Sequence, residues 1–115
     1  MRIYKYPLMV KQRELIHTPK GAEFLSVGVQ DGIPCVWALV KDIDAPPVTR
    51  VIRIATTGEV FNAEGCVFIG SMQMGTPTWF VAHVFEQIGK HPDPLEPRFN
   101  NDFNDIQEEV RKGTA

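Results

Sequence analysis

Ala22-Glu23-Phe24-Leu25-Ser26-Val27-Gly28-Val29-Gln30-Asp31-Gly32-Ile33-Pro34-Cys35-Val36-Trp37-Ala38-Leu39-Val40 decides the fold class. Its first half alternates, with Leu25, Val27 and Val29 on one face and Ser26, Gly28 and Gln30 on the other. Its second half sets Cys35, Trp37 and Leu39 against Val36, Ala38 and Val40. A period of two residues is the mark of a β-strand. Asp31-Gly32 sits between the two runs, and an Asp-Gly pair there favours a type I′ turn, because both central residues need positive φ. The stretch reads as a β-hairpin.

Working outward, the same pattern recurs. Arg2 to Tyr6 and Gln12 to Ile16 read as shorter strands joined near Pro7, and Pro19-Lys20-Gly21 turns the chain into the hairpin. After the breaker Asp44-Ala45-Pro46-Pro47, Thr49 to Ala55 forms a further strand. Arg50 shares a face with Ile52 and Ile54 there, whereas Arg53 lies with Val51 and Ala55. Cys66 to Met74 and Thr78 to Gln87 read as a second hairpin around Gly75-Thr76-Pro77. Six or seven short strands separated by turns predict an all-β domain, an antiparallel sandwich or small barrel, over residues 1–88. Residues 89–115 change character. His91-Pro92-Asp93-Pro94-Leu95-Glu96-Pro97 is a Pro-rich tail unfit for regular structure, and a short helix is expected from Asp105 to Lys112. The tail is either a docking arm for a partner subunit or partly disordered.

The second hairpin is apolar on both faces. Trp79, Val81, His83 and Phe85 line one face of its last strand, and Phe80, Ala82 and Val84 line the other. The strand before it sets Phe68, Met72 and Met74 against Val67 and Ile69. A one-sided antiparallel sheet exposes polar groups outward, so both faces are expected to meet something. A second sheet plus the tail, another subunit (a homo-oligomer) and a ligand are the three candidates.

Composition bounds the rest. The 115 residues carry 12 Lys and Arg against 14 Asp and Glu, a net charge of −2. That is no footprint of a long nucleic acid or of a membrane surface. No apolar run approaches the eighteen or so residues of a membrane span, and Met1 to Pro7 lacks the apolar stretch of a signal peptide. A cytoplasmic location, and with it two reduced core cysteines at Cys35 and Cys66, is the expectation. His17, His83 and His91 are scattered and no C-x-x-C occurs, so no structural zinc site is expected. Ser26 and Ser71, the two serines, both lie in strands and no G-x-S-x-G is present, which leaves a serine hydrolase unsupported. Cys35 in a core strand lacks the electropositive, part-exposed setting of a reactive thiol. No enzyme and no cofactor is expected.

Five residues remain as candidates for ligand binding: Arg50, Arg53, His83, Thr56 and Trp79. A guanidinium is a planar fork suited to phosphate or carboxylate, although an ion pair within the chain would occupy it equally well. Thr56-Thr57-Gly58 follows the arginines and offers hydroxyls and backbone N–H groups to an anion. His83 reads either as a hydrogen-bonded core residue or as a ligand contact. Trp37 and Trp79 read first as core filling and second as stacking surfaces.

Ile3-Tyr4-Lys5-Tyr6-Pro7, Pro19-Lys20-Gly21-Ala22, Leu25-Ser26-Val27, Gly32-Ile33-Pro34-Cys35-Val36-Trp37-Ala38-Leu39-Val40 and His83-Val84-Phe85-Glu86 together resemble a family of small phage and prophage proteins known mainly as a domain of unknown function. The resemblance covers about residues 2–87. The family's third strand often leads into Gly-Thr-Gly, from which Ala55-Thr56-Thr57-Gly58 departs. The resemblance implies a phage origin and brings no active site. Phage origin, two arginines, a histidine and a surplus of aromatics favour a non-enzymatic binder that sequesters a small anionic, nucleotide-like host-defence signal. A protein-interaction module that inhibits a host or phage protein is the alternative.

Overall fold

The computed structural model describes residues 1–75 and 80–89. Within them the chain forms β1 (Arg2–Pro7), β2 (Arg13–Pro19), β3 (Glu23–Gln30), β4 (Ile33–Val40), β5 (Pro47–Thr56), β6 (Cys66–Met74) and β7 (Phe80–Gln87). All pairings are antiparallel. They build a three-stranded sheet in the order β1-β4-β3 and a four-stranded sheet in the order β2-β5-β7-β6. The expected all-β antiparallel architecture of six or seven strands is therefore what the described residues adopt, with seven strands in two sheets. The tail helix and Trp79 lie outside the described residues.

The hairpin closes as its dipeptide demands. Asp31 and Gly32 both have positive φ, 53° and 79°, and Gln30 faces Ile33 across the turn. One side of each sheet supplies the core. Val36 from β4 packs with Ile52 and Ile54 of β5, Met72 of β6, Ala82 and Val84 of β7, and Leu8. A smaller cluster joins Ala22, Ala38 and Val40 with Tyr4, Tyr6 and Phe24. Burying a side chain of this size contributes about 1.5–3 kcal/mol. The sheets come closest where β3 crosses β6, because Gly70 has no side chain there. A Cβ on it would stand 3.0 Å from Val27 Cγ2.

Two bulges change what the alternation predicts. In β3, Phe24 faces Ala38 and Ser26 faces Trp37, so Leu25 is an extra residue. Phe24 and Val27 turn to the core, and Leu25 is left exposed instead of sharing a buried face with Val27. In β6, Phe68 faces Phe85 and Gly70 faces Val84, which makes Ile69 the extra residue. Phe68 and Met72, expected on one face, are thereby split. Met72 enters the core and Phe68 stays outside. An inserted residue shifts the phase of everything beyond it. Trp37 is not core filling either: opposite in phase to Val36 and Ala38, it is half-buried on the outer face, its ring lying over Gly28.

The loop before β2 is tied from within. Leu8 N–H donates to the Pro34 carbonyl at 2.8 Å. The Glu14 carboxylate accepts from the N–H groups of Met9 (2.9 Å) and Lys11 (3.3 Å). Between them Val10 holds a left-handed φ of 57°, a conformation that costs a β-branched residue most. This clamp delivers Gln12 to the outer face of β5.

Candidate binding site

The five candidate residues part company in the fold. Arg50 sits on the inward face of β5 and reaches across to the other sheet. Its Nε and Nη2 bond the Glu86 carboxylate of β7, the Nη2 contact at 2.9 Å. Its Nη1 donates to the Ala22 carbonyl at 2.8 Å and to Thr18 Oγ1 at 3.3 Å. Its guanidinium carbon lies 4.3 Å from the centre of the Phe24 ring. The side chains of Arg50 and Glu86 are only 16% and 14% exposed. A forked, two-point ion pair at this depth is a strong, directional contact, and it holds β2, β3, β5 and β7 together. The same cation opposes the rise that burial and nearby Tyr4 impose on the Tyr6 phenol. Of the two readings open for Arg50, the pair within the chain is the one the structure shows.

Arg53 and His83 lie on the opposite, outward face of the four-stranded sheet. Arg53 is buried to 5% exposure. Its Nε donates to the Gln12 carbonyl and its Nη1 to Gln87 Oε1, both at 3.2 Å. The Phe61 ring stands over it, 5.7 Å from centre to guanidinium. His83 is held at both ends: Ser71 Oγ is 2.8 Å from Nδ1 and Thr57 Oγ1 is 2.8 Å from Nε2. A neutral imidazole has one donor and one acceptor, so in that state one hydroxyl gives a proton to the ring and the other receives one.

Thr56 ends β5 and serves a turn. Its N–H and its hydroxyl both donate to Glu59 Oε1, at 2.9 and 3.2 Å. Glu59 N–H returns a bond to the Thr56 carbonyl at 3.0 Å. Gln12 Nε2 binds the other carboxylate oxygen at 2.6 Å. The Thr56 N–H, then the Gln12 amide, hold the Glu59 carboxyl below the usual glutamate range against a small opposing effect of burial. This turn lays the β5–β6 loop over the sheet, where Phe61 packs 4.9 Å from Phe85 and Phe68 meets Phe85 edge-on at 5.4 Å.

The result is a shallow recess lined by Gln12, Arg53, Glu59, Val60, Phe61 and Asn62. Its volume is about 60 Å³, room for a water or two and well short of the 300 Å³ and more of ordinary small-molecule pockets. Sequence reasoning found Arg53 but missed Gln12, Glu59, Phe61 and Asn62. Glu59, Phe61 and Asn62 sit in a loop where no periodicity exists to flag them, and Gln12, expected to open a strand, lies just before β2. Among the described residues no three His, Cys, Asp or Glu side chains cluster as a metal site would require. Cys35 is buried and Cys66 half-buried, both as free thiols. No helix among the described residues is long and apolar enough to cross a membrane.

Fold and site thus define a two-sheet β-domain with a polar and aromatic outer face and a small recess. The chain belongs to the family described as Domain of unknown function (DUF7352), whose model matches residues 1–94. No curated protein and no solved structure matches it.

Proposed function

We propose that this protein works by binding rather than by turning over a substrate, as a protein-interaction module whose contact surface is the outer face of the four-stranded sheet. One observation carries the reading. Phe68 is 56% exposed on that face, where an ordinary one-sided sheet is polar, and it continues into Phe85 and Phe61. Leu15, on the same face of β2, is also exposed. Aromatic residues grouped this way, with arginine beside them, are what interface centres are enriched in. A phage or prophage source would make the partner a host or phage protein met in the bacterial cytoplasm.

Sequestration of a small anionic, nucleotide-like host-defence signal is the second reading. It is favoured by Arg53 at the wall of the recess under the Phe61 ring, a pairing of cation and ring suited to a planar anion. The recess would have to widen, by movement of the β5–β6 loop, to admit one.

Affinity capture from a bacterial lysate, with wild type beside Phe68→Asp and Leu15→Asp, separates the two. Loss of the wild-type partner in both variants, with folding intact by circular dichroism, supports the module. A nucleotide released by heating the purified protein, found by mass spectrometry and absent from Arg53→Ala, supports sequestration and overturns the first reading.

A further inference from the structure

Phe68, Phe85, Arg53 and Arg13 stand in one row across β6, β7, β5 and β2, on the outward face of the four-stranded sheet. The row is aromatic at the β6 edge and cationic at the β2 edge. The Phe61 ring sits above its middle, against Phe85 on one side and Arg53 on the other. Phe68 is 56% exposed at the aromatic end, where a sheet facing water alone carries polar groups.

The chain leaves the sheet at this aromatic end. β7 finishes at Gln87, beside Cys66 at the start of β6. Just beyond it the N–H groups of Ile88 and Gly89 both donate to the Gly65 carbonyl, at 2.9 and 3.1 Å. Gly89, the last described residue, is thereby pinned next to β6, with residues 90–115 still to follow. The family match runs on to residue 94, so the domain does not stop where β7 does.

Next in the sequence comes His91-Pro92-Asp93-Pro94-Leu95-Glu96-Pro97, with two carboxylates and no Lys or Arg. Its prolines, each biasing the residue before it away from helical geometry, favour the extended polyproline II form. Three residues per turn put Pro92 with Leu95 on one edge and Asp93 with Glu96 on the next. Pro-rich segments of this kind dock on aromatic-lined surfaces, and the acidic edge matches the arginine end of the row. The reach suffices. At about 3.1 Å per residue the segment extends about 20 Å, against about 14 Å from β6 to β2 at a strand spacing of about 4.8 Å. Tethering through Gly89 makes the contact intramolecular, so it needs little intrinsic affinity.

We infer that residues 91–97 of the chain itself lie across this face, with Pro92 and Leu95 on Phe68 and Phe85, and with Asp93 and Glu96 toward Arg53 and Arg13. The contact surface described under the proposed function is then covered until a partner displaces the segment. The inference rests on that reading for the displacement only, not for the contact.

Nuclear magnetic resonance of the full chain tests it. Nuclear Overhauser contacts are expected from Pro92 or Leu95 protons to the Phe68 and Phe85 rings. Order parameters at the Asp93 and Leu95 amides should be near the value of about 0.85 found for rigid backbone. Phe68→Asp, a change at an exposed position, and the double variant Asp93→Lys/Glu96→Lys should each abolish the contacts and bring those order parameters below about 0.6, with the strand resonances in place. Absence of the contacts in wild type overturns the inference, as do contacts that survive either variant. Contacts found only between differently labelled copies in a mixed sample overturn it too, since the segment would then sit on a second copy. Affinity capture by Asp93→Lys/Glu96→Lys separates this result from the interaction module: with the face uncovered, at least as much partner should be captured as by wild type. Capture of none, with the wild-type contacts present, leaves the docked segment standing and sinks the module.

Discussion

Arg50 of β5 and Glu86 of β7 form a two-point ion pair in the space between the sheets, with Nη2 2.9 Å from Oε1. The two residues are 36 positions apart in sequence, and the pair fixes β5 and β7 against Ala22, just before β3, and Phe24 of β3 in the other sheet.

Removing one partner of this pair strands the other as a nearly buried charge. Arg50→Ala and Glu86→Ala should each lower unfolding free energy by about 3–5 kcal/mol, read as a shift of the urea midpoint. Arg50→Met combined with Glu86→Leu should recover most of that loss, since an apolar pair leaves no unpaired charge. Equal losses in the double variant and the singles would contradict this account of the pair.

Gly70 should not tolerate a side chain. Gly70→Ala brings a methyl to 3.0 Å from Val27 Cγ2, and valine has little rotamer freedom with which to yield. A loss of about 1–3 kcal/mol is expected from such overpacking. Adding Val27→Ala should relieve the clash, so that Gly70→Ala costs less in the Val27→Ala background than in wild type, as a double-mutant cycle would show.

The I′ turn gives a separate backbone test. Gly32 has a φ of 79° with open space around its Cα. Gly32→Val therefore costs about 1–2 kcal/mol through conformation alone, whereas Asp31→Asn, at a φ of 53°, should be nearly neutral because asparagine tolerates that region. Thermal unfolding of the two variants reads the contrast.

Acid should loosen the β5–β6 loop through Glu59. Its carboxyl is held below the ordinary value of 4.5 by the Thr56 N–H first and the Gln12 amide second. A folded-state pKa below the unfolded one means that the stabilisation is complete above about pH 4.5 and disappears as pH falls through the lower, folded value. In an acid titration the wild type should therefore lose stability more steeply below that point than Glu59→Gln. Amide exchange at Thr56 should quicken over the same interval. Parallel curves would place the effect elsewhere.

How much of this was legible from residues alone depends on what kind of contact was at stake. The Asp31-Gly32 hairpin, the strands and the opposite facing of Arg50 and Arg53 follow from period-two alternation, and the fold keeps them. Leu25 and Phe68 went to unexpected faces because a bulge leaves no local mark: the extra residue is defined only by the partner strand. Glu86 as the mate of Arg50 was equally hidden, since its place opposite Ile52 arises from β7 inserting between β5 and β6. His83 reads in the sequence as either a hydrogen-bonded or a ligand-contacting residue, and Ser71 and Thr57 bond both of its nitrogens. The recess was hidden most fully, because Gln12 and Phe61 meet Arg53 from loops whose paths depend on Val10, Glu14 and Glu59.

The insertion of β7 into the middle of its sheet also sets a schedule for synthesis. During translation β2 and β5 can pair as soon as residue 56 has emerged, but β6 has no sheet neighbour until Phe80–Gln87 follows it out of the ribosome. Until then the edge of β5 is bare, Arg50 lacks its counter-ion, and the nascent chain displays the apolar side of β6 to whatever chaperone is at hand. Among the described residues, the last strand made is the keystone of the larger sheet.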